Sequence, residues 1–426
     1  MKIKELTLHN FRCFYDLTLS FNDDYTILVG INGAGKSTIL EAIATAFGTY
    51  LQGFPDSKAP GLSVDQVLIR TVKYGSTFSS ERQYSTSIEV TAQDEKENTY
   101  HWGRAKKRAA GQSATITGEE IQNYAKSLYE SKKSGDPQVI LPVIVNFGTD
   151  RLYKDKASKN QISNSYYLDG YKNYLSSSSN SKDMVDWIKR MTMVELQEGH
   201  KIPELEAVKN AITSIYSKLN NDLTDVSVRY SMVSGELELQ YTDHNNIQVI
   251  PIRLLSDGIR ITLSMAANIA YRMALLNANL EDDILALSTG IVLIDEIDMH
   301  LHPAWQKKIM IALKEVFPKV QFIVTTHSPS VLANVTSDHI LLLDNGKIYQ
   351  PARNTYGKNI DSILKEIMKT DAQADDVVLL LKNFYQAIEE QKLDQAKSLL
   401  DQLKDIVGED YSEYIEAKMT LELECL

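Results

Sequence analysis

A chain of 426 residues, 43% hydrophobic and 24% charged, can bury more than one core and predicts two lobes or two domains. Its two cysteines, Cys13 and Cys425, exclude a disulfide framework and a thiolate zinc site; with no apolar run of membrane length and no signal-peptide core, they point to a cytoplasmic protein without a membrane partner. The net charge of −11 excludes a globally basic nucleic-acid-coating protein, but residues 371–426 hold 14 Asp and Glu against 5 Lys, which leaves the first 370 nearly neutral.

The first thirty residues alternate as strands do: Ile3, Leu6, Leu8 and Phe11, then Leu17, Leu19 and Phe21, then the apolar run Ile27, Leu28 and Val29. A glycine-rich segment leads into a helix over 38–47, where Ile39, Leu40, Ile43 and Phe47 recur at helical spacing. Residues 53–118 are polar with short alternating pieces such as 84–90, the pattern of a small antiparallel sheet. Arg104, Lys106, Lys107 and Arg108 cluster there and read as a solvated loop before they read as a binding site. Next come a buried strand over 139–147, a Ser-, Asn- and Tyr-rich surface insertion over 160–181, a helical stretch over 184–219 and a hairpin over 226–252. A helix over 259–276 carries Asn268 and Arg272; apolar strands over 291–294 and 322–324 flank a helix over 305–316, a βαβ unit of a parallel sheet. In the tail Val377, Leu381, Phe384 and Ile388, then Leu393, Ala396, Leu400, Leu403 and Val407, predict a hairpin of acidic helices with a third segment from Tyr411.

Gly30-Ile31-Asn32-Gly33-Ala34-Gly35-Lys36-Ser37 matches G-x-x-x-x-G-K-[ST] after a buried strand and before a helix, the context in which this pattern holds phosphate. The glycines let successive N–H groups, together with the helix N-terminus, point at phosphate oxygens, so Asn32, Gly33, Gly35 and Thr38 are candidate ATP contacts. Lys36 is expected to reach the β- and γ-phosphates and Ser37 to give its hydroxyl to Mg²⁺. Downstream, the strand Ile291-Val292-Leu293-Ile294 ends in Asp295-Glu296, where ligands sit in a parallel sheet. Asp295 suits the Mg²⁺ shell, and Glu296 suits the base that takes a proton from the attacking water.

Two further motifs follow. Leu255-Ser256-Asp257-Gly258-Ile259-Arg260 precedes a helix, and Val324-Thr325-Thr326-His327-Ser328 ends a strand. With the first two, in this order, they make the chain resemble the ABC-type ATPase heads of the RecF, SMC and OLD group over roughly residues 1–350. The resemblance implies an α/β fold, an ABC-type P-loop ATPase head with a parallel sheet core plus an antiparallel sheet lobe. An inserted helical and loop region at about 155–220 and an α-helical C-terminal tail over 351–426 complete it. It also implies that heads pair head to tail around ATP and Mg²⁺, with Ser256 and Gly258 of one subunit on the γ-phosphate bound by the other. His327 would sense the same phosphate, and Arg12, in Asn10-Phe11-Arg12-Cys13-Phe14, would touch nucleotide. Asp257 and Ile259 stand where the family has its first signature glycine and a polar residue, which implies slow turnover. No glutamine stands where the family's γ-phosphate-sensing loop is expected, and residues 146–150 take that place.

His300 and His302 lie in the short loop that in this family meets the partner subunit, a reading preferred to a metal site with His327; Asp298 sets that loop. Only 217 residues without sustained heptads separate Ser37 from Leu255, which excludes long coiled-coil arms. The roughly 75 residues after Gln350 hold no evident nuclease. More narrowly, residues 294–306, Phe317-Pro318, residues 321–329 and Tyr356-Gly357-Lys358-Asn359-Ile360 resemble the PtuA ATPase subunits of Septu-type anti-phage systems, some of which are joined to retrons. That resemblance implies an ATP-dependent regulatory subunit acting on a PtuB-like HNH nuclease, with a retron reverse transcriptase and its DNA as further partners. A RecF-like repair ATPase binding DNA directly, or an oligomer glued by nucleotide with little hydrolysis, are the competing readings.

Overall fold

Strand β1 (Lys2–Phe11) buries Ile3, Leu6 and Leu8 on one face although the first two are three apart, because a bulge between Ile3 and Glu5 resets the alternation. It belongs to a five-stranded antiparallel sheet, in the order β2-β1-β6-β7-β8, with β2 (Phe14–Ser20), β6 (Thr86–Gln93), β7 (Thr99–Lys106) and β8 (Ala114–Ile116). A second sheet runs β16-β15-β3-β14-β13-β9: β3 (Tyr25–Gly30), β9 (Val143–Phe147), β13 (Gly290–Ile294), β14 (Val320–Thr326) and β15 (Ile340–Asp344) are parallel, and β16 (Lys347–Tyr349) closes the edge antiparallel. This computed structural model describes residues 1–55, 57, 61–109, 113–149, 166–175, 181–368 and 373–424.

Helix α1 (Lys36–Leu51) packs on both sheets, so it is apolar nearly all round, with Ile39, Leu40, Ala42, Ile43, Ala44, Ala46 and Phe47 all buried. Trp102 on β7 fixes it, donating its indole N–H to the Ala46 carbonyl at 2.9 Å and meeting Phe47 edge-on. Arg104 and Lys106 lie two and four residues beyond Trp102 on the same strand, and Arg104 is 3% exposed. The solvated-loop reading therefore holds for Lys107 and Arg108 alone, since strand alternation turns the other two inward with the tryptophan.

Helix α2 (Glu119–Lys133) escapes the periodicity reading because it buries little beyond Ile121 and Ala125. The helical stretch before the second lobe is two helices, α3 (Ser181–Glu198) and α4 (Pro203–Leu219). The expected hairpin is a three-stranded meander, β10 (Thr224–Ser231), β11 (Glu236–Asp243) and β12 (Asn246–Pro251). Its second turn uses His244 and Asn245 at φ 45° and 67°, so no Asn-Gly pair announces it. Helix α5 (Asp257–Leu276) follows, with Arg272 wholly buried; its guanidinium donates to Asn268 Oδ1 at 2.9 Å and to the Gly170 carbonyl at 2.6 Å, and burial pulls its pKa down to about 10. Short helices α6 (Ile284–Leu287), α7 (Pro303–Gln306), α8 (Ile309–Val316) and α9 (Pro329–Leu332) connect the parallel strands. Half of the insertion expected over 160–181 falls outside the described residues, as do Asp150 and Cys425, and its described part opens with a 3₁₀ helix over Tyr166–Tyr171 and buries Tyr171 and Tyr174 instead of running over the surface.

The chain divides into Met1–Gly357 and Lys358–Leu426. In the second unit α10 (Ile360–Ile363) precedes α11 (Asp375–Glu389), α12 (Leu393–Val407) and α13 (Ser412–Glu424). These last three close over their own small core, which includes Phe384, Ala396, Leu403, Tyr414, Ala417 and Leu421. Among the described residues no helix is long and apolar enough to cross a membrane.

Candidate nucleotide site

Parallel pairing brings the C-terminal ends of β3, β14 and β13 to one edge of the sheet, so the loop after Gly30, the turn after Ile294 and the segment after Thr326 are neighbours. The loop after β3 turns through Gly33 and Gly35 at φ 81° and 102°, a left-handed path that an L side chain resists. A Cβ on Gly35 would lie 2.4 Å from Phe14 Cζ and 2.8 Å from Cys13 Sγ, so the β1–β2 turn presses directly on the loop. Asn32, Gly33 and Ser37 line the solvent side of this loop, and Thr38 follows them into α1. Lys36 is only 6% exposed; its ammonium folds over the loop and donates to the Gly30 and Ile31 carbonyls at 2.9 and 3.1 Å. Burial lowers its pKa, while Asp295, Glu296 and Asp298 act in the opposite sense, which places all three carboxylates within electrostatic reach.

Thr325 organises the acidic side. Its hydroxyl donates to Asp295 Oδ1 at 2.6 Å and accepts from the Glu296 backbone N–H at 2.8 Å, and its carbonyl accepts from Ile297 at 2.9 Å. Glu296 sits at φ 49°, a conformation costly for a long side chain unless its surroundings hold it there. Thr326 donates to Asp298, and Ser328 donates to Gln306 Oε1 at 2.7 Å while the Gln306 amide donates to the Leu301 carbonyl at 3.0 Å. Three hydroxyls around His327 therefore clamp residues 295–306. Sequence reasoning gives them no role, although three hydroxyls in four positions was the available signal. His327 is part-exposed, and its pKa is lowered first by burial and then by the Lys36 charge, against Asp298, Glu296 and Asp295.

Replacing Thr325 by Val, which keeps shape and removes the hydroxyl, should lower ATP turnover about 10- to 100-fold and raise the Mg²⁺ needed for half-maximal rate, with metal-free nucleotide affinity unchanged. Thr325→Ser should restore both. A Val variant with the parent's rate and Mg²⁺ dependence would show that the clamp is packing alone.

The remaining expected residues separate into two groups. Ser256 is exposed at the N-cap of α5, and Gly258 leaves no space at all: a Cβ there would lie 2.1 Å from the His300 carbonyl oxygen. The start of α5 thus rests on the loop that Asp298 and Gln306 brace. Arg12 lies 2.7 Å from the Glu41 carboxylate on α1, which also accepts from Gln66 at 2.8 Å. Asn146 donates its backbone N–H to the Tyr174 carbonyl at 2.9 Å and its side-chain N–H to the Leu175 carbonyl at 3.3 Å, while its Oδ1 is buried without a hydrogen-bond partner. His302 Nδ1 accepts from Ala304 N at 3.3 Å and caps α7. Among the described residues no group of three or more His, Cys, Asp or Glu side chains is placed to hold a metal ion. Mg²⁺ brought by a nucleotide fits the hard oxygen donors Asp295, fixed by Thr325, and Ser37 in the first turn of α1.

Residues 25–333 match the protein family described as AAA domain, putative AbiEii toxin, Type IV TA system. The chain is 27% identical to the Retron Vc95 probable ATPase of Vibrio cholerae serotype O1 biovar El Tor, over 90% of this chain and 83% of that protein. It is 26% identical to the Retron Ec83 probable ATPase of Escherichia coli, over 99% and 87%, and 26% identical to the Septu protein PtuA of Bacillus thuringiensis, over 87% and 84%.

Proposed function

The chain belongs to the family described as AAA domain, putative AbiEii toxin, Type IV TA system, and from that membership we propose an ATP-binding and ATP-hydrolysing regulatory subunit of an anti-phage defence complex. The observation that carries the reading is the convergence of Lys36, Asp295, Glu296 and His327 at one sheet edge. Lys36 exchanges the Gly30 and Ile31 carbonyls for β- and γ-phosphate oxygens. Ser37 and Asp295 would hold the nucleotide's Mg²⁺, which would supply charge neutralisation at the phosphates. Glu296 takes the proton of the attacking water, and His327 donates a ring N–H to a γ-phosphate oxygen. Ser256 and Gly258 complete the site of a second copy, so that two heads close head to tail around ATP. The similarity to Retron Vc95, Retron Ec83 and PtuA supports a defence role, with a PtuB-like HNH nuclease as the regulated partner and the acidic unit Lys358–Leu426 as its contact.

Ser256→Arg tests the arrangement, because a long cation cannot enter a closed interface where a small hydroxyl must approach phosphate. Light scattering should show ATP-dependent pairing for the parent and none for the variant, with ATP affinity and the co-purified nuclease both retained. Normal pairing by the variant would rule out the head-to-tail model, and joint loss of pairing and nuclease would move the nuclease contact from the tail to the heads.

A further inference from the structure

Strands β4 (Ile69–Tyr74) and β5 (Thr77–Arg82) form a two-stranded ribbon that, among the described residues, joins no other sheet. An isolated hairpin is marginal in water, yet this one has a firm root: Val67 and Leu68 are buried, Leu68 donates to the Asn10 carbonyl at 2.9 Å, and Gln83 donates to Leu68 at 2.8 Å. Gln66, just below, accepts from Arg12 N and donates to Glu41 on α1, so the root is tied to the phosphate-loop helix. The blade beyond the root is exposed on both faces, with Ile69 at 51%, Tyr74 at 57% and Phe78 at 70%. Nothing in the head's own folding explains large apolar side chains held in solvent on so fixed a support.

Register sorts the blade into two unlike faces. Arg70 stands opposite Glu81 on one face, which places the ribbon's one carboxylate there. The other carries Thr71 opposite Ser80 and Lys73 opposite Phe78, with Arg82 nearer the root, and no carboxylate from the ribbon. Thr71 and Ser80 hydroxyls meet at 3.1 Å, the Lys73 ammonium lies 6.0 Å from the Phe78 ring centre, and Arg82 is 3.8 Å from Asp65. Cation, hydroxyl and open aromatic face side by side are what a nucleic-acid strand uses: phosphate takes the first two and an unstacked base takes the third. An acidic protein surface would use the cations and leave the ring and hydroxyls unexplained. We propose that this face of the β4–β5 ribbon binds single-stranded nucleic acid, with Lys73 on a phosphate and Phe78 stacked on a base.

The test is fluorescence anisotropy of the full-length chain with a labelled oligodeoxythymidylate of about 20 nucleotides, titrated at several salt concentrations. Lys73→Glu should weaken binding about tenfold or more and lower the salt slope by about one. Phe78→Ala should weaken it about tenfold at an unchanged slope, and Phe78→Leu, which keeps apolar bulk without a π face, should do the same. ATP turnover should stay at the parent's rate in all three, which excludes misfolding. The proposal is overturned if the parent does not bind the oligonucleotide, if the variants bind it as the parent does, or if a duplex of the same length binds better and Phe78→Ala leaves that preference intact. Variants that lose self-association while keeping the oligonucleotide would assign the ribbon to the acidic surface of a second copy, which also overturns it.

Discussion

Lys36→Ala is expected to abolish measurable ATP binding, a loss of at least about 100-fold in affinity, because charge-assisted hydrogen bonds to phosphate vanish with the ammonium. The structure makes the expectation sharp. Lys36 is buried, its charge is carried against desolvation by Asp295, Glu296 and Asp298, and its present acceptors are two loop carbonyls that phosphate oxygens can replace. Alanine would remove the ammonium that offsets three carboxylates near the nucleotide, so repulsion that Mg²⁺ alone must then screen adds to the lost contacts. Lys36→Arg is not a neutral control, since the wider guanidinium must fit a loop already pressed by Phe14 and Cys13. Calorimetry with ATP and Mg²⁺ decides it, and an affinity within about threefold of the parent's would end the phosphate-loop assignment.

Much of this was legible in the sequence because the decisive features are local. The run Ile27, Leu28, Val29, the glycines at 33 and 35 and the helical spacing of Ile39, Ile43 and Phe47 each report on a few neighbouring residues, and together they define strand, loop and helix. The Asp295-Glu296 strand end and the start of α5 at Asp257 were readable for the same reason. What stayed hidden depends on distant partners. Arg12 is turned to Glu41 by contacts across 29 positions, and Thr325 acquires its purpose from a turn 29 positions upstream. Arg104 and Lys106 look like a charged loop until Trp102 fixes which way β7 faces. The turn before β12 is formed by His244 and Asn245 at positive φ, which these residue types tolerate better than most, but without the Asn-Gly or Asp-Gly pair that would mark a tight hairpin. In each case the missing information is which long-range contact outweighs the local preference, which periodicity does not carry.

Glu296→Gln separates chemistry from binding at the same site. Glutamine keeps the length and planarity of the side chain, and the backbone N–H that Thr325 holds at 2.8 Å is untouched, so the left-handed turn at φ 49° should persist. Only the proton acceptor is lost. Turnover is expected to fall about 10²- to 10⁴-fold with ATP affinity within about threefold of the parent's, the range that removal of a positioned general base produces. Removing a negative charge near Lys36 should, if anything, favour phosphate, and that sign distinguishes the variant from Lys36→Ala, where repulsion rises. Because hydrolysis no longer empties the site, this variant should accumulate the ATP-bound pair of heads, and adding Ser256→Arg should return it to single heads without restoring turnover. The clamp adds an internal check: Thr325→Val combined with Glu296→Gln should still show the raised Mg²⁺ requirement of Thr325→Val, since the Thr325 hydroxyl reaches the Asp295 carboxylate as well as the Glu296 backbone. Phosphate release at the parent's rate by the single Glu296→Gln variant would place the base elsewhere, and a double variant with the parent's Mg²⁺ dependence would mean that Thr325 acts on Glu296 and not on Asp295.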